Sequence, residues 1–265
     1  MKMMLLSICA SLMPALAAAP LDLRLAGEWQ ASEADVRAVL LSAAEPLKAR
    51  FPGRDFSPIR VEPKGGPIVL FQRGNAGEYT VKLDTGGSYW SQYAYQFSHE
   101  FCHILCHYRD DDRSHKWFEE AVCEAASLFS LREMARVWEE KPPYPNWRDY
   151  APHLKSYADE LIRNTPVPED LAAWYREHRD ALEKDCCDRG RNRVVAVKLL
   201  EILEKDPGFW SAVAALNQGP AGEPRDFSGY LSSWHAHAPR RHGPTIARIA
   251  RLFGITLRDG AGAAD

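Results

Sequence analysis

The stretch Phe97 to Tyr108, FSHEFCHILCHY, constrains this chain more than any other. Phe97, Phe101, Ile104, Leu105 and Tyr108 fall at i, i+4, i+7, i+8 and i+11, one continuous apolar stripe of an α-helix. His99 and His103 are four apart and stack one turn above the other on a different face. Such a helix must bury one side in a core and present two imidazoles on another. Two imidazoles at that spacing can share a metal ion, and Glu100 stands beside them, placed to polarise a metal-bound water. His99-Glu100-Phe101-Cys102-His103 is the HExxH pattern. The competing reading is a helix with surface histidines. The motif's position after a strand and off the apolar stripe favours a site. His107 continues the ladder but reads as an exposed bystander.

A catalytic zinc site takes a third protein ligand. The next helix, expected from about Ser114 to Trp138, contains HKWFEEAVCEAASLF and offers Glu119 and Glu120. Glu124 lies one turn beyond Glu120, where it could accept a hydrogen bond from a ligand histidine's other nitrogen. The corresponding neighbour of Glu119 is Cys123, so Glu120 is preferred.

Around these two helices the pattern is α+β. A helix is expected over Glu33–Ala49, with strands at Pro58–Val61, Ile68–Phe71 and Tyr79–Leu83 separated by Gly65-Gly66 and Asn75-Ala76-Gly77 turns. Ser88 is the expected cap of the HExxH helix. After Pro142, Pro143 and Pro145 the chain reads as helices only, at about Asp149–Arg163, Glu169–Lys184, Arg193–Lys205, Pro207–Leu216, Ser228–Ala236 and Thr245–Leu252. The expected architecture is a small N-terminal mixed sheet with the HExxH helix packed on it, followed by an all-helical C-terminal subdomain. The expected division is 19–140 for the metal-site part, 141–258 for a helical part closing the cleft, and 259–265 as a disordered tail.

HExxH followed by a helix opening Trp-Phe-Glu-Glu-Ala resembles the gluzincin metallopeptidases, the clan of thermolysin and the zinc aminopeptidases. It is most similar to the small peptidase-MA-like proteins. In the aminopeptidases the second helix opens Trp-x-Asn-Glu-Gly, and aligning Trp117 with that Trp puts Glu120 on the ligand position. Glu124 then matches the carboxylate behind a ligand histidine in thermolysin. The resemblance runs from about Thr80 to Leu131 and includes the strand before the helix, which in that clan is an edge that pairs with substrate. It implies a zincin-like fold, a Zn²⁺ cofactor and a peptide or protein substrate. The aminopeptidase Gly-x-Met-Glu-Asn motif is absent before the helix, so aminopeptidase activity is not implied.

The implied mechanism is hydrolysis at Zn²⁺ held by His99, His103 and Glu120, with Glu100 as general base. An oxyanion donor from the helical half is expected: Tyr157 first, with His153, Tyr150 and His235 behind it. Two alternatives stay open, a zincin-fold scaffold without activity and a zinc amidase acting on a non-peptide such as cell-wall material.

The first residues suggest export. Lys2, the apolar run Met3–Leu16 and the small residues at Ala15–Ala19 read as a signal peptide over residues 1–18, with a retained anchor as the alternative. A periplasmic or secreted monomer with no stable membrane insertion is expected. A formal charge of −3 gives no indication of nucleic acid as a partner. Without Cys9, five cysteines remain. A bond from Cys102 or Cys106 to Cys123 would staple the two ligand helices; buried thiols are the alternative. Arg189, Arg191 and Arg193 read as a solvated helix start.

Overall fold

A computed structural model describes residues 20–110, 115–219 and 226–257. The expected leader and tail lie outside the described residues, as does most of the Asp110–Arg113 loop. The architecture is α+β with a four-stranded mixed sheet. Leu23–Leu25 (β1) pairs parallel with Ile59–Glu62 (β2), and Glu33–Lys48 (α1) supplies the crossover that a parallel pair requires. Ile68–Val69 (β3) is antiparallel to Tyr79–Lys82 (β4), which pairs parallel with β2. β1 is three residues long, too short to show alternation in the sequence.

The sheet order β1-β2-β4-β3 corrects one expectation. The strand leading into the HExxH helix is β4, and it is interior; the edge is β3. Gly66 allows that edge to close, because a Cβ there would sit 2.0 Å from the Lys82 carbonyl oxygen. Leu23, Ile59, Val61, Val69 and Val81 are buried, as are Val36, Val39, Leu40, Ala43 and Leu47 on α1. The sheet's apolar side is thus covered by helix, as period-two strands require.

The HExxH helix is Trp90–Leu105 (α2). Its N-cap is Tyr89, which makes no side-chain cap, rather than Ser88. At its other end His107 takes a left-handed φ of 53°. The Tyr108 amide donates to the His103 carbonyl at 3.2 Å and the His107 amide to the Ile104 carbonyl at 3.3 Å. This is a Schellman stop, and histidine is among the few residues besides glycine that enter that region readily. His107 is therefore exposed and turned off the ladder that His99 and His103 share.

Lys116–Glu140 (α3) is the central helix, packed against α1, α2 and two later helices, Ala151–Arg163 (α4) and Arg189–Leu203 (α6). Leu171–Lys184 (α5), Phe227–His237 (α7) and Gly243–Leu252 (α8) complete the helical half, with 3₁₀ segments at Pro145–Tyr150, Pro207–Ala215 and Arg240–His242. Asp170, Asp188 and Asp226 cap α5, α6 and α7 by accepting from Ala173, Arg191 and Gly229 amides. The Asp188 cap starts α6 at Arg189, four residues earlier than expected from apolar spacing. Among the described residues no helix is long and apolar enough to cross a membrane.

Candidate metal centre

Because α3 is buried on nearly every side, the carboxylates in its first turns are held inside the protein. Glu119 and Glu124 are buried, and Glu120 faces the cleft. The packing of α2 on α3 brings these carboxylates to the two histidines. His99 Nε2 is 3.0 Å from Glu120 Oε2, and His103 Nε2 is 3.6 Å from Glu120 Oε1. Ligand atoms of His99, His103 and Glu120 all lie within 4.8 Å of one another, so the three can hold a metal ion.

The donor set fits zinc. Tetrahedral Zn²⁺ with bonds of about 2.0–2.1 Å separates its ligand atoms by roughly 3.3 Å. The observed 3.0 and 3.6 Å fall on either side of that spacing. Both imidazoles turn Nε2 toward Glu120, which leaves each Nδ1 pointing to another carboxylate. His103 Nδ1 donates to Glu119 Oε1 at 2.5 Å. His99 Nδ1 lies 3.9 Å from Glu124 Oε2, beyond direct hydrogen-bond distance.

Glu119, the alternative to Glu120 in the sequence, has a different set of partners. Its oxygens accept from His103, from Lys116 Nζ at 2.9 Å to each, and from Asn217 Nδ2 at 2.7 Å. Its acceptor positions are filled, so it orients His103 and leaves the metal position to Glu120. The signal was present in Lys116, three residues before Glu119 on the same helix. Nothing in the sequence pointed to Asn217.

Glu124 is anchored differently from expectation. Arg193 Nε donates to Glu124 Oε1 at 2.5 Å, and the Tyr95 hydroxyl donates to Oε2. Arg193 also donates through Nη2 to the Tyr95 oxygen at 3.2 Å. The reading of Arg193 as part of a solvated cluster is thereby corrected: it reaches from α6 into the site and holds the carboxylate behind His99. Arg191 pairs with Asp188 at the helix cap, and Arg189 lines the cleft.

Glu100 is buried and lines the same cleft of about 200 Å³, beside Val69 of the edge strand. Burial pushes its carboxyl above the usual range, against the pull of His99, His103 and the Val69 amide. Burial also disfavours the imidazolium of His103, but Glu120 and Glu119 outweigh it and hold its pKa well above the ordinary value. His99 is likewise raised against burial, by Glu120 and Glu100. Glu119 and Glu120 are depressed despite burial, Glu119 by Lys116 and His103, and Glu120 by His103 and His99.

Tyr157 lies elsewhere. It lines a separate shallow recess with Tyr89, Tyr150 and His153, and its ring meets Tyr95 edge-on at 5.9 Å. His235 packs against Gly243 at the start of α8. The wall of the metal cleft is instead Tyr108, whose hydroxyl donates to the Leu70 carbonyl at 2.5 Å and whose ring stands 6.4 Å from that of His103. Cys102, Cys106 and Cys123 are free thiols, so no disulfide staples α2 to α3.

Scans against protein-family models, curated proteins and solved structures found no match for the chain.

Two outcomes follow from this geometry. Zn²⁺ must displace the protons that His99 and His103 retain, so its apparent affinity rises with pH through their raised pKa values and falls below them. Competition titrations should show zinc binding that tightens as pH rises above the ordinary imidazole range; a flat profile contradicts this. Replacing Glu119 by Ala removes the acceptor behind His103 and should weaken zinc by roughly 10–100-fold in the same assay. Wild-type affinity in that variant would show that His103 needs no such support.

Proposed function

We propose that this chain is a zinc-dependent hydrolase of gluzincin type, acting as a peptidase. The observation that carries the reading is the convergence of His99, His103 and Glu120 with buried Glu100 beside them in one cleft. When bound, Zn²⁺ would supply Lewis acidity and an acidified water. His99 and His103 would hold it through Nε2; Glu119 fixes the His103 ring, and Arg193 holds Glu124 3.9 Å from His99 Nδ1.

Glu100 has the position and the environment of the general base. A carboxylate with a raised pKa accepts a proton more readily than an exposed one and can return it to the leaving amine. The peptide reading is supported by β3. It is the sheet edge beside Glu100, and an edge strand offers main-chain groups to which an extended peptide can add. Ile68 and Phe71, both exposed, form an apolar lip there for substrate side chains.

For the oxyanion, Tyr157 lines another recess, and the Tyr108 hydroxyl is engaged with Leu70. Arg189, which lines the metal cleft from the first turn of α6, takes that role in our reading. Export to the periplasm or the medium, as the leader suggests, belongs to the same proposal.

Glu100→Gln keeps shape and removes the base. It should bind zinc like wild type and lose at least ~100-fold in the rate of peptide hydrolysis. The check is cleavage of a fluorogenic peptide library alongside metal analysis of the same preparation. A fully active, zinc-loaded Glu100→Gln protein would refute the mechanism.

A further inference from the structure

Behind the His–Glu cleft, the same two helices bring together three cysteines. Cys102 and Cys106 lie four apart on and just past α2, and Cys123 comes from α3. Each is 0% exposed. Their sulfur atoms lie within 4.8 Å of one another, with 4.0 Å between Cys102 Sγ and Cys106 Sγ. None of them takes part in the site described above, although each of Cys102 and Cys123 neighbours one of its residues in sequence.

We propose that Cys102, Cys106 and Cys123 form a second, all-sulfur metal site, selective for a soft monovalent cation, Cu(I). Three features carry this. Thiolate sulfur is the donor that soft d¹⁰ ions prefer, whereas the imidazole–carboxylate set next door suits Zn²⁺. A three-coordinate centre with metal–sulfur bonds of about 2.3 Å separates its sulfurs by roughly 4.0 Å, the spacing of Cys102 Sγ and Cys106 Sγ, and Cys123 Sγ lies within 4.8 Å of both. The third feature is the count of donors. Among the described residues, the group that converges here contains three ligands and no fourth. Structural zinc is almost always four-coordinate, so a trigonal pocket without a fourth donor disfavours it.

Binding is balanced by proton release: each thiol that becomes a ligand gives its proton to solvent, and no electron is transferred. The two sites then divide metals by softness while sharing α2 and α3 as their frame. The second site does not depend on hydrolytic activity in the first.

The test uses the full chain, stripped of metal and fully reduced, titrated anaerobically with Cu(I) against a chromophoric Cu(I) chelator. One equivalent should be retained by wild type and by His99→Ala, and competition should weaken at least 100-fold in Cys102→Ala and in Cys123→Ala. Copper-edge X-ray absorption on loaded wild type should show sulfur scatterers alone at about 2.2–2.3 Å, which keeps the test open if a cysteine variant misfolds. A wild-type chain that retains no Cu(I), a nitrogen-containing shell, or retention unchanged in the cysteine variants would overturn the site. So would a disulfide joining Cys123 to Cys102 or Cys106 in protein purified without reductant.

Discussion

The hydrogen bond from His103 Nδ1 to Glu119 is the contact on which the rest of the site depends. It fixes which imidazole nitrogen faces the cleft and turns Nε2 toward Glu120. It also saturates Glu119, so that two adjacent glutamates on one helix take different roles. The carboxylate is almost fully buried, and it is stable there because Lys116 and Asn217 complete its shell. Removing one partner from a buried ion pair of this kind costs about 3–5 kcal/mol, so the arrangement is held by folding and does not wait for a metal.

The helical half contributes two braces and the opposite wall a third. Asn217, just after the 3₁₀ segment at Pro207–Ala215, reaches Glu119 and also donates to the Cys106 carbonyl at the end of α2, at 3.1 Å. Arg193 from α6 reaches Glu124 and Tyr95. The helical half therefore braces Glu119, which is bonded to His103, and holds Glu124 in place behind His99. On the other wall, Tyr108 links the end of α2 to the segment after β3, so the Schellman stop at His107 also shapes the cleft.

Much of this was legible in the sequence, for definable reasons. His99 and His103 were readable because helical spacing is local and the apolar stripe assigns the remaining face to the core. Glu120 was preferred because Glu124, and not Cys123, lies one turn beyond it, and the structure brings Glu120 to within 3.0 Å of His99 while Glu124 stays 3.9 Å from that ring. The outer contacts were less legible. Arg193 lies 69 residues from Glu124 and Asn217 lies 98 from Glu119, and no periodicity links positions so far apart. Tyr157 was selected for its residue type and its helical half, whereas its position depends on how α4 packs across α3, turning it toward Tyr95 and a different recess. The sheet order escaped for the same reason: the pairing of β4 with β2, which puts β4 inside and β3 at the edge, is not a local signal.

In our proposal zinc would be held by two imidazoles and one carboxylate, not by the sulfur triad behind them. Zinc-edge X-ray absorption on the wild-type chain loaded with one equivalent tests it directly. A shell of nitrogen and oxygen only is expected, at about 2.0–2.2 Å with the outer-ring pattern of two imidazoles. A shell containing sulfur at about 2.3 Å would contradict it.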